Sequence, residues 1–476
     1  MAAFENLRQQ LFKPIDASSL AVFRIGFGLI LFLDVIRYWN NGWISGQFIE
    51  PKFLFKFYGF SWVEPWSGDG MYFHFAFVGL TAFLIMIGAA YRIAAILFTL
   101  SFTYVFLLDE AQYLNHFYLV ILFAILLCVV PAHRAYSVDA WLRPKLRSAT
   151  VPKWTLWLLR AQMEIMLLYA GLVKIIPDWL QLEPLRMWLA EASIDKDLPS
   201  WMDYLHGQDW AVAIAAYGVI ILHVVGAPLL LWKRTRLAVF CIYILFHLQN
   251  HFVFDIGIFP WFTIFASLLF FDPDWPKQIA QRIRTWFRKS KNETAPRDST
   301  SQSLSFYDTP LFQQKLIMIF LVLWITSQIL IPLRHFLYPG NVAWTEEGQR
   351  FAWQMKLRDK KGIMKVIVVD YDERKVWDVD PREFLTRTQL HIMSGTPHMI
   401  LQFAHFLEDF WEQEYGSTHI EIYITAYASL NGRKPELLID PKRDLTEIER
   451  SLRHADWIMP MTEPLKRETS TQSTTH

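Results

Sequence analysis

Charge is scarce in this 476-residue chain: Asp, Glu, Lys and Arg make up 19% of it, while 53% is apolar and 16% aromatic. Soluble proteins carry about 25% charged residues, so a lipid environment suits this composition better than water. The net charge of +1 gives no basic excess of the kind nucleic-acid binding needs. Cysteine is nearly absent, and Cys128 and Cys241 both fall in apolar stretches, so no disulfide framework is expected. Nucleotide and nucleophile motifs are missing: there is no G-x-x-x-x-G-K-[ST], no glycine-rich dinucleotide turn and no G-x-S-x-G elbow. No repeat is apparent. The N-terminus, with Glu5, Arg8 and Lys13, lacks the short core and small-residue cleavage site of a secretory signal, and it reads as a retained cytoplasmic end.

Long apolar runs are what the chain does have. A helix crossing roughly 30 Å of hydrocarbon needs about 20 mostly apolar residues. Nine stretches qualify, near residues 19–36, 72–90, 93–108, 115–132, 155–177, 210–232, 237–254, 256–271 and 315–333, the eighth being short and poorly separated from the seventh. Short cytoplasmic loops carry excess Lys and Arg. With the N-terminus inside, the inner loops 132–154, 233–236 and 272–315 are rich in both, whereas the outer loop 109–114 has neither and 178–209 has only Arg186 and Lys196. Eight spans would put 233–236 and 272–315 on opposite sides; nine put them together and leave everything after Leu333 outside.

That last segment changes character. "KVIVVDY" and "HIEIYITAYASL" read as strands, and His398 to Tyr415 carries apolar residues at helical spacing. The chain is therefore expected to be a polytopic α-helical membrane protein of about nine spans over 1–334, with an extracytoplasmic α+β domain over 335–465. A polar cytoplasmic linker is expected at 289–308 and a disordered tail at 466–476. The aromatic outer loop 37–70 has two open readings, an interfacial anchor or the mouth through which a lipophilic ligand enters.

Ionisable groups inside spans are costly and face a cavity or one another. Span five contains Arg160, Gln162, Glu164 and Lys174; span four opens on Asn115 and His116; span seven carries His247, Gln249, Asn250 and His251. Helix direction and a rise of about 1.5 Å per residue put Lys174, His116, Asn250 and His251 in the outer third, with His247 nearer the middle. Three helices thus bring donors and bases to one level beneath the outer domain. Each residue also has a structural reading. Lys174 can snorkel and pair with Asp178; Arg160 and Glu164, one turn apart, can form a buried pair; His116 can be an interfacial hydrogen-bonding histidine. The His247-x-x-x-His251 spacing has no accompanying third ligand, so no metal is expected.

At these residues the chain resembles the vitamin K-dependent gamma-carboxylases, including bacterial members that share the HTTM-type membrane domain. The similar stretches run in order: "YRIAAILFTLSFTYVFLLDEAQYLNHFYL" (91–119), "LRAQMEIMLLYAGLVKIIPDW" (159–179), "FHLQNHFVFDIGIFPW" (246–261), "HFLYPGNVAWTEEGQRFAWQMK" (335–356) and "IEIYITAYASLNGR" (420–433). The resemblance implies a catalytic base in the A-G-x-x-K segment at Lys174, followed by Asp178 and Trp179, and a histidine assisting the carbanion step in the N-H-x-Y-L segment at His116. With it, Asn115, Arg160, Gln162, His247, Asn250 and His251 are expected to line or support a quinol pocket, and Asn341, Trp344 and Trp353 to stand on the glutamate side.

The resemblance further implies vitamin K hydroquinone, of the menaquinone or phylloquinone type, as co-substrate, with O2 and CO2 as substrates and no metal. Partners would be membrane lipid, the lipophilic quinol and a glutamate-bearing peptide or protein. Removing an ammonium from water disfavours its charge, so a buried lysine can act as a base at neutral pH. The expected reaction is oxidation of the quinol to its 2,3-epoxide, coupled to proton abstraction from glutamate and CO2 addition. The chain departs from the animal enzymes in three ways: it stops soon after "DWIMPM" without their long C-terminal extension, it lacks their bridging cysteines, and Asn341 stands where they have a tyrosine. Two alternatives therefore stay open, a quinol epoxidase without peptide carboxylation and a non-catalytic lipid-binding scaffold. The expected location is a bacterial inner membrane, with the C-terminal domain periplasmic.

Overall fold

A computed structural model describes residues 2–254, 256–289 and 310–465. The helices are α1 (Ala2–Phe12), α2 (Ser18–Asn40), α3 (Gly70–Ile87), α4 (Tyr91–Leu108), α5 (Asn115–Val129) and α6 (Lys153–Leu172). They continue with α7 (Leu185–Asp195), α8 (Asp209–Leu230), α9 (Arg236–Val253), α10 (Phe259–Ser267), α11 (Trp275–Lys289), α12 (Leu311–Leu333) and α13 (Pro397–Tyr415). All nine apolar stretches are helical. Of these, α2, α3, α4, α8, α9 and α12 are long and apolar enough to cross a membrane. The polar residues Arg160, Gln162 and Glu164 dilute the apolar character of α6. α5 and α10 are shorter apolar helices and sit inside the bundle, where neighbouring helices cover them. The Phe123 ring of α5 packs at a tilt against Phe23 of α2, 5.2 Å between centres, and edge-on against Phe262 of α10 at 5.7 Å. A side chain at Gly28 would come within 2.5 Å of the Ala82 carbonyl, so glycine there lets α2 and α3 pack backbone against backbone.

One end of the bundle gathers the basic loops. Strands β1 (Pro14–Asp16) and β2 (Thr150–Pro152) pair antiparallel there. Arg24, fully buried, donates to the carbonyls of Ile85, Met86 and Tyr136. Asp272 accepts Arg236 at 3.1 Å and Lys233 at 3.0 Å. The loops 132–154 and 233–236 and the start of α11 thus share one end, as the loop-charge argument requires.

The other end carries the C-terminal domain. Its antiparallel sheet has the order β4 (Lys375–Val379), β3 (Lys360–Asp370), β5 (Ile420–Leu430), β6 (Glu436–Leu437). β5 alternates buried and partly exposed residues along its length, the period-two pattern of a strand with one covered face. α13 supplies the cover, burying Ile400, Phe403, Ala404 and Leu407 in the same core as Ile422 and Ile424. The aromatic loop after α2 is no simple surface anchor: Phe55 is fully buried and joins this core, with Phe53 packed beside it. The linker expected over 289–308, apart from Lys289, and the tail expected over 466–476 lie outside the described residues.

A buried carboxylate with two partly exposed partners ties the domain to the bundle. Glu110, just beyond α4, lies 3.2 Å from Arg350 and 2.9 Å from His398. Burial by itself would raise the Glu110 carboxyl, but His398 and Arg350 hold it down to about 2. A carboxyl held below its usual 4.5 contributes stability that is complete above pH 4.5 and is lost as pH falls towards 2. Glu110→Ala leaves the Arg350 guanidinium and the His398 ring without the carboxylate they share and should cost roughly 3 kcal/mol at neutral pH. In thermal melts followed by tryptophan fluorescence, the gap between wild type and variant should close as the pH drops through that window.

Candidate active site

α6 carries the central group. Lys174 lies just past its end, 5% exposed, and its Nζ donates to the carbonyls of Ala170 at 3.1 Å and Met355 at 2.9 Å. The Trp179 ring centre lies 4.9 Å from Nζ. Among the described residues no carboxylate lies within 4.0 Å of it. Asp178 does not pair with Lys174: Arg433 takes it in a two-pronged contact at 2.6 and 2.7 Å, and Asn431 donates at 2.8 Å. A lysine whose two hydrogens are held by carbonyls keeps its lone pair for whatever occupies the space in front of it.

That space is a cavity of about 750 Å³ reached by α5, α6, α8, α9 and the segment after α12, within the range of roughly 300–1,000 Å³ usual for small-molecule sites. His116 and His247 line it with Lys174, and Phe259 stands between the two imidazoles, 6.0 and 5.8 Å from them. Nε2 of His116 and both ring nitrogens of His247 are buried without a hydrogen-bond partner among the described residues. Most buried polar atoms have such a partner, so these three nitrogens mark hydrogen-bonding capacity that the fold leaves unspent. Asn115, Gln249 and Asn250 also face the cavity. Its other wall is apolar and opens sideways: Ile214 and Gly218 of α8 and Ile242 and Leu245 of α9 line it and are exposed on the lipid-facing flank.

The structure separates some expected members. Arg160 does not pair with Glu164; it donates to the carbonyls of Leu269 and Phe271, both at 2.7 Å, where the turn extending α10 leaves them unspent. Gln162 is fully buried away from the cavity, accepting from Trp324 at 2.9 Å. His251 is exposed and rests on Trp261. Asn341 caps a short turn through the Ala343 amide; Trp344 is packed in the C-terminal core and donates to Met459; Trp353 is fully buried against Tyr118. None of these six lines the cavity.

Other residues line it without having been singled out. His223 enters from a π turn over Leu222–Gly226 within α8. Gly171 permits that approach, since a side chain there would meet His223 and Val224 at 2.8 Å. As a histidine inside an apolar span, His223 carried the same signal as His247. Lys356 lies 5.0 and 4.8 Å from the rings of Trp188 and Phe254. Met355 contributes a backbone carbonyl, which has no sequence signature. Its segment is unusual: Glu346, Phe351, Trp353 and Lys356 all have positive φ, at 65, 62, 55 and 49°. Such conformations persist only where surroundings over-determine them. Here the Phe351 amide donates to the Tyr113 hydroxyl at 2.9 Å, and Arg350 and Trp353 are held as described.

Two family models cover most of the chain: the HTTM domain matches residues 12–275, and the vitamin K-dependent gamma-carboxylase lumenal domain matches 313–464. The chain belongs to the gamma-carboxylase family. No solved structure matches it. Membership marks this protein as gamma-carboxylase-like in function, and the family implies vitamin K hydroquinone as co-substrate. The family acts on glutamate-containing substrates, and a membrane-embedded chain contacts lipid. The cavity thus joins an apolar flank on α8 and α9 to the polar side chains of Lys174, His116, His247 and Asn250.

The opening itself is testable. Gly218 has open space where a side chain would stand, so Gly218→Trp should narrow the flank while leaving the melting temperature unchanged. Binding of a long-chain naphthoquinone, followed by tryptophan quenching, should slow by about tenfold or more, whereas tail-less menadione should bind as before.

Proposed function

We propose that this gamma-carboxylase family member oxidises vitamin K hydroquinone at the Lys174 cavity and uses the reaction to carboxylate glutamate. One observation carries the reading: a buried lysine that donates to two carbonyls and has no carboxylate partner among the described residues faces a cavity beside two histidines with unspent nitrogens. When bound, the quinol with O2 supplies an epoxide and a base strong enough to remove the γ-proton of glutamate, after which CO2 adds.

The chain's own residues have distinct tasks in this proposal. Lys174 takes the first proton from the quinol hydroxyl. The carbonyls of Ala170 and Met355 aim its lone pair into the cavity. His116 and His247 hydrogen-bond the ring oxygens, and His116 also serves the later carbanion step. The apolar walls exclude water, which would quench a strong base. The polar end of the cavity meets the C-terminal domain at Met355 and Lys356, the side from which a glutamate would reach it. A second reading, epoxidation without peptide carboxylation, is favoured by one observation: Asn341, Trp344 and Trp353 do not line the cavity.

The proposed location is a bacterial inner membrane, with the basic end of the bundle cytoplasmic and the C-terminal domain periplasmic. Residues 1–334 would then be the membrane domain and 335–465 the external one.

Purified protein given reduced vitamin K, O2 and labelled bicarbonate should form epoxide and should label a glutamyl peptide. Epoxide without label supports the second reading, and no epoxide under any condition sinks both. Lys174→Ala should reduce epoxide formation by about 10²–10⁴-fold, the usual contribution of a general base, at unchanged membrane expression. His116→Ala should lower carboxylation more than epoxidation, measured in the same reaction. A reporter active only in the periplasm, fused after residue 465, should be active; a silent but expressed fusion contradicts the orientation.

A further inference from the structure

α11 is an amphipathic helix whose apolar face is left uncovered by the described residues. Its first turn is fixed to the bundle: the Ser19 amide donates to the Pro273 carbonyl at 3.0 Å, and Lys277 lies 2.5 Å from Asp16. Beyond that turn every residue from 278 to 287 is exposed. Ile279, Ile283, Trp286 and Phe287 recur at i, i+4, i+7 and i+8, which is one face of a helix. They are 46, 51, 69 and 57% exposed, too much contiguous apolar surface to be left in water by default. Gln278, Gln281, Thr285 and Arg284 turn to the other side, and Arg282 flanks the stripe. Between Asp274 and Glu293 the sequence holds six Lys or Arg and no acid: Lys277, Arg282, Arg284, Arg288, Lys289 and Lys291.

Position and charge together name the occupant. The helix starts where the bundle ends, three residues beyond the Asp272 contact with Lys233 and Arg236, so it begins at headgroup level. A basic helix with a Trp, Ile and Phe face lies in the plane of a membrane surface, and its charge is complementary to anionic lipid. We propose that α11 lies on the leaflet its own bundle spans, with Ile279, Ile283, Trp286 and Phe287 among the acyl chains and Arg282 and Arg284 on the phosphates of anionic lipids. The helix thereby reads the lipid composition of the leaflet opposite the C-terminal domain, independently of what the cavity binds.

Hydrogen exchange of the full-length protein in nanodiscs tests this, using phosphatidylcholine alone or mixed with phosphatidylglycerol. The amides of 279–287 should exchange about 30-fold slower in the anionic membrane, the effect expected for two arginines near its surface. High salt should reduce that difference. The double variant Arg282→Gln/Arg284→Gln should lose it with the rest of the exchange map unchanged, and Ile283→Asp should lose protection in both lipids. Equal exchange in the two membranes overturns the proposal. So does protection that rises with protein-to-lipid ratio, which would assign the face to a second copy of the chain.

Discussion

The contact between Lys174 and the Met355 carbonyl, at 2.9 Å, is the one on which the rest of the site depends. A lysine in a low-dielectric interior needs dipoles or a counter-charge. No carboxylate among the described residues supplies one, because Asp178 is committed to Arg433. Two carbonyls meet the need instead, one from the lysine's own helix and one from the segment that links α12 to the sheet. The position of the nitrogen is therefore tied to the docking of the C-terminal domain. The same domain is held at two other points, by Glu110 with Arg350 and by Asp178 with Arg433, so the segment carrying Met355 is clamped from both sides.

From that clamp the cavity follows. Polar groups gather at its upper end, where the domain meets α5, α6 and α9, and apolar side chains form the flank towards α8 and α9. In the proposed function this asymmetry would let a quinol ring meet hydrogen-bonding nitrogens while its tail stays in hydrocarbon. The π turn in α8 and the missing side chain at Gly171 are the local adjustments that bring His223 to the same wall.

Much of the fold was legible before any coordinates. The nine apolar stretches, the two long strands and the helix from 397 to 415 rest on periodicity and on hydrocarbon thickness, which are properties of a short segment. Lys174, His116, Asn250 and His247 could be placed at neighbouring depths because helix rise and direction are fixed quantities, and all four line the cavity. Rotation about the helix axis was harder to read. His251 shares the depth of Asn250 yet points outward, because depth arithmetic says nothing about which face a neighbouring helix covers. Arg160 and Glu164 illustrate a related failure. Their one-turn spacing makes a pair possible, but the guanidinium instead donates to the carbonyls of Leu269 and Phe271, 109 and 111 residues further along the chain.

The sequence by itself determined the solvent, the spans and the inventory of bases and donors, because hydropathy, loop charge and residue type act over a few turns of chain. The tertiary structure alone decided which of those groups meet. The Met355 carbonyl, the left-handed residues of its segment and the sideways opening between α8 and α9 all arise from contacts between parts of the chain far apart in sequence. Backbone carbonyls are the same at every position until the fold brings one of them to a lysine.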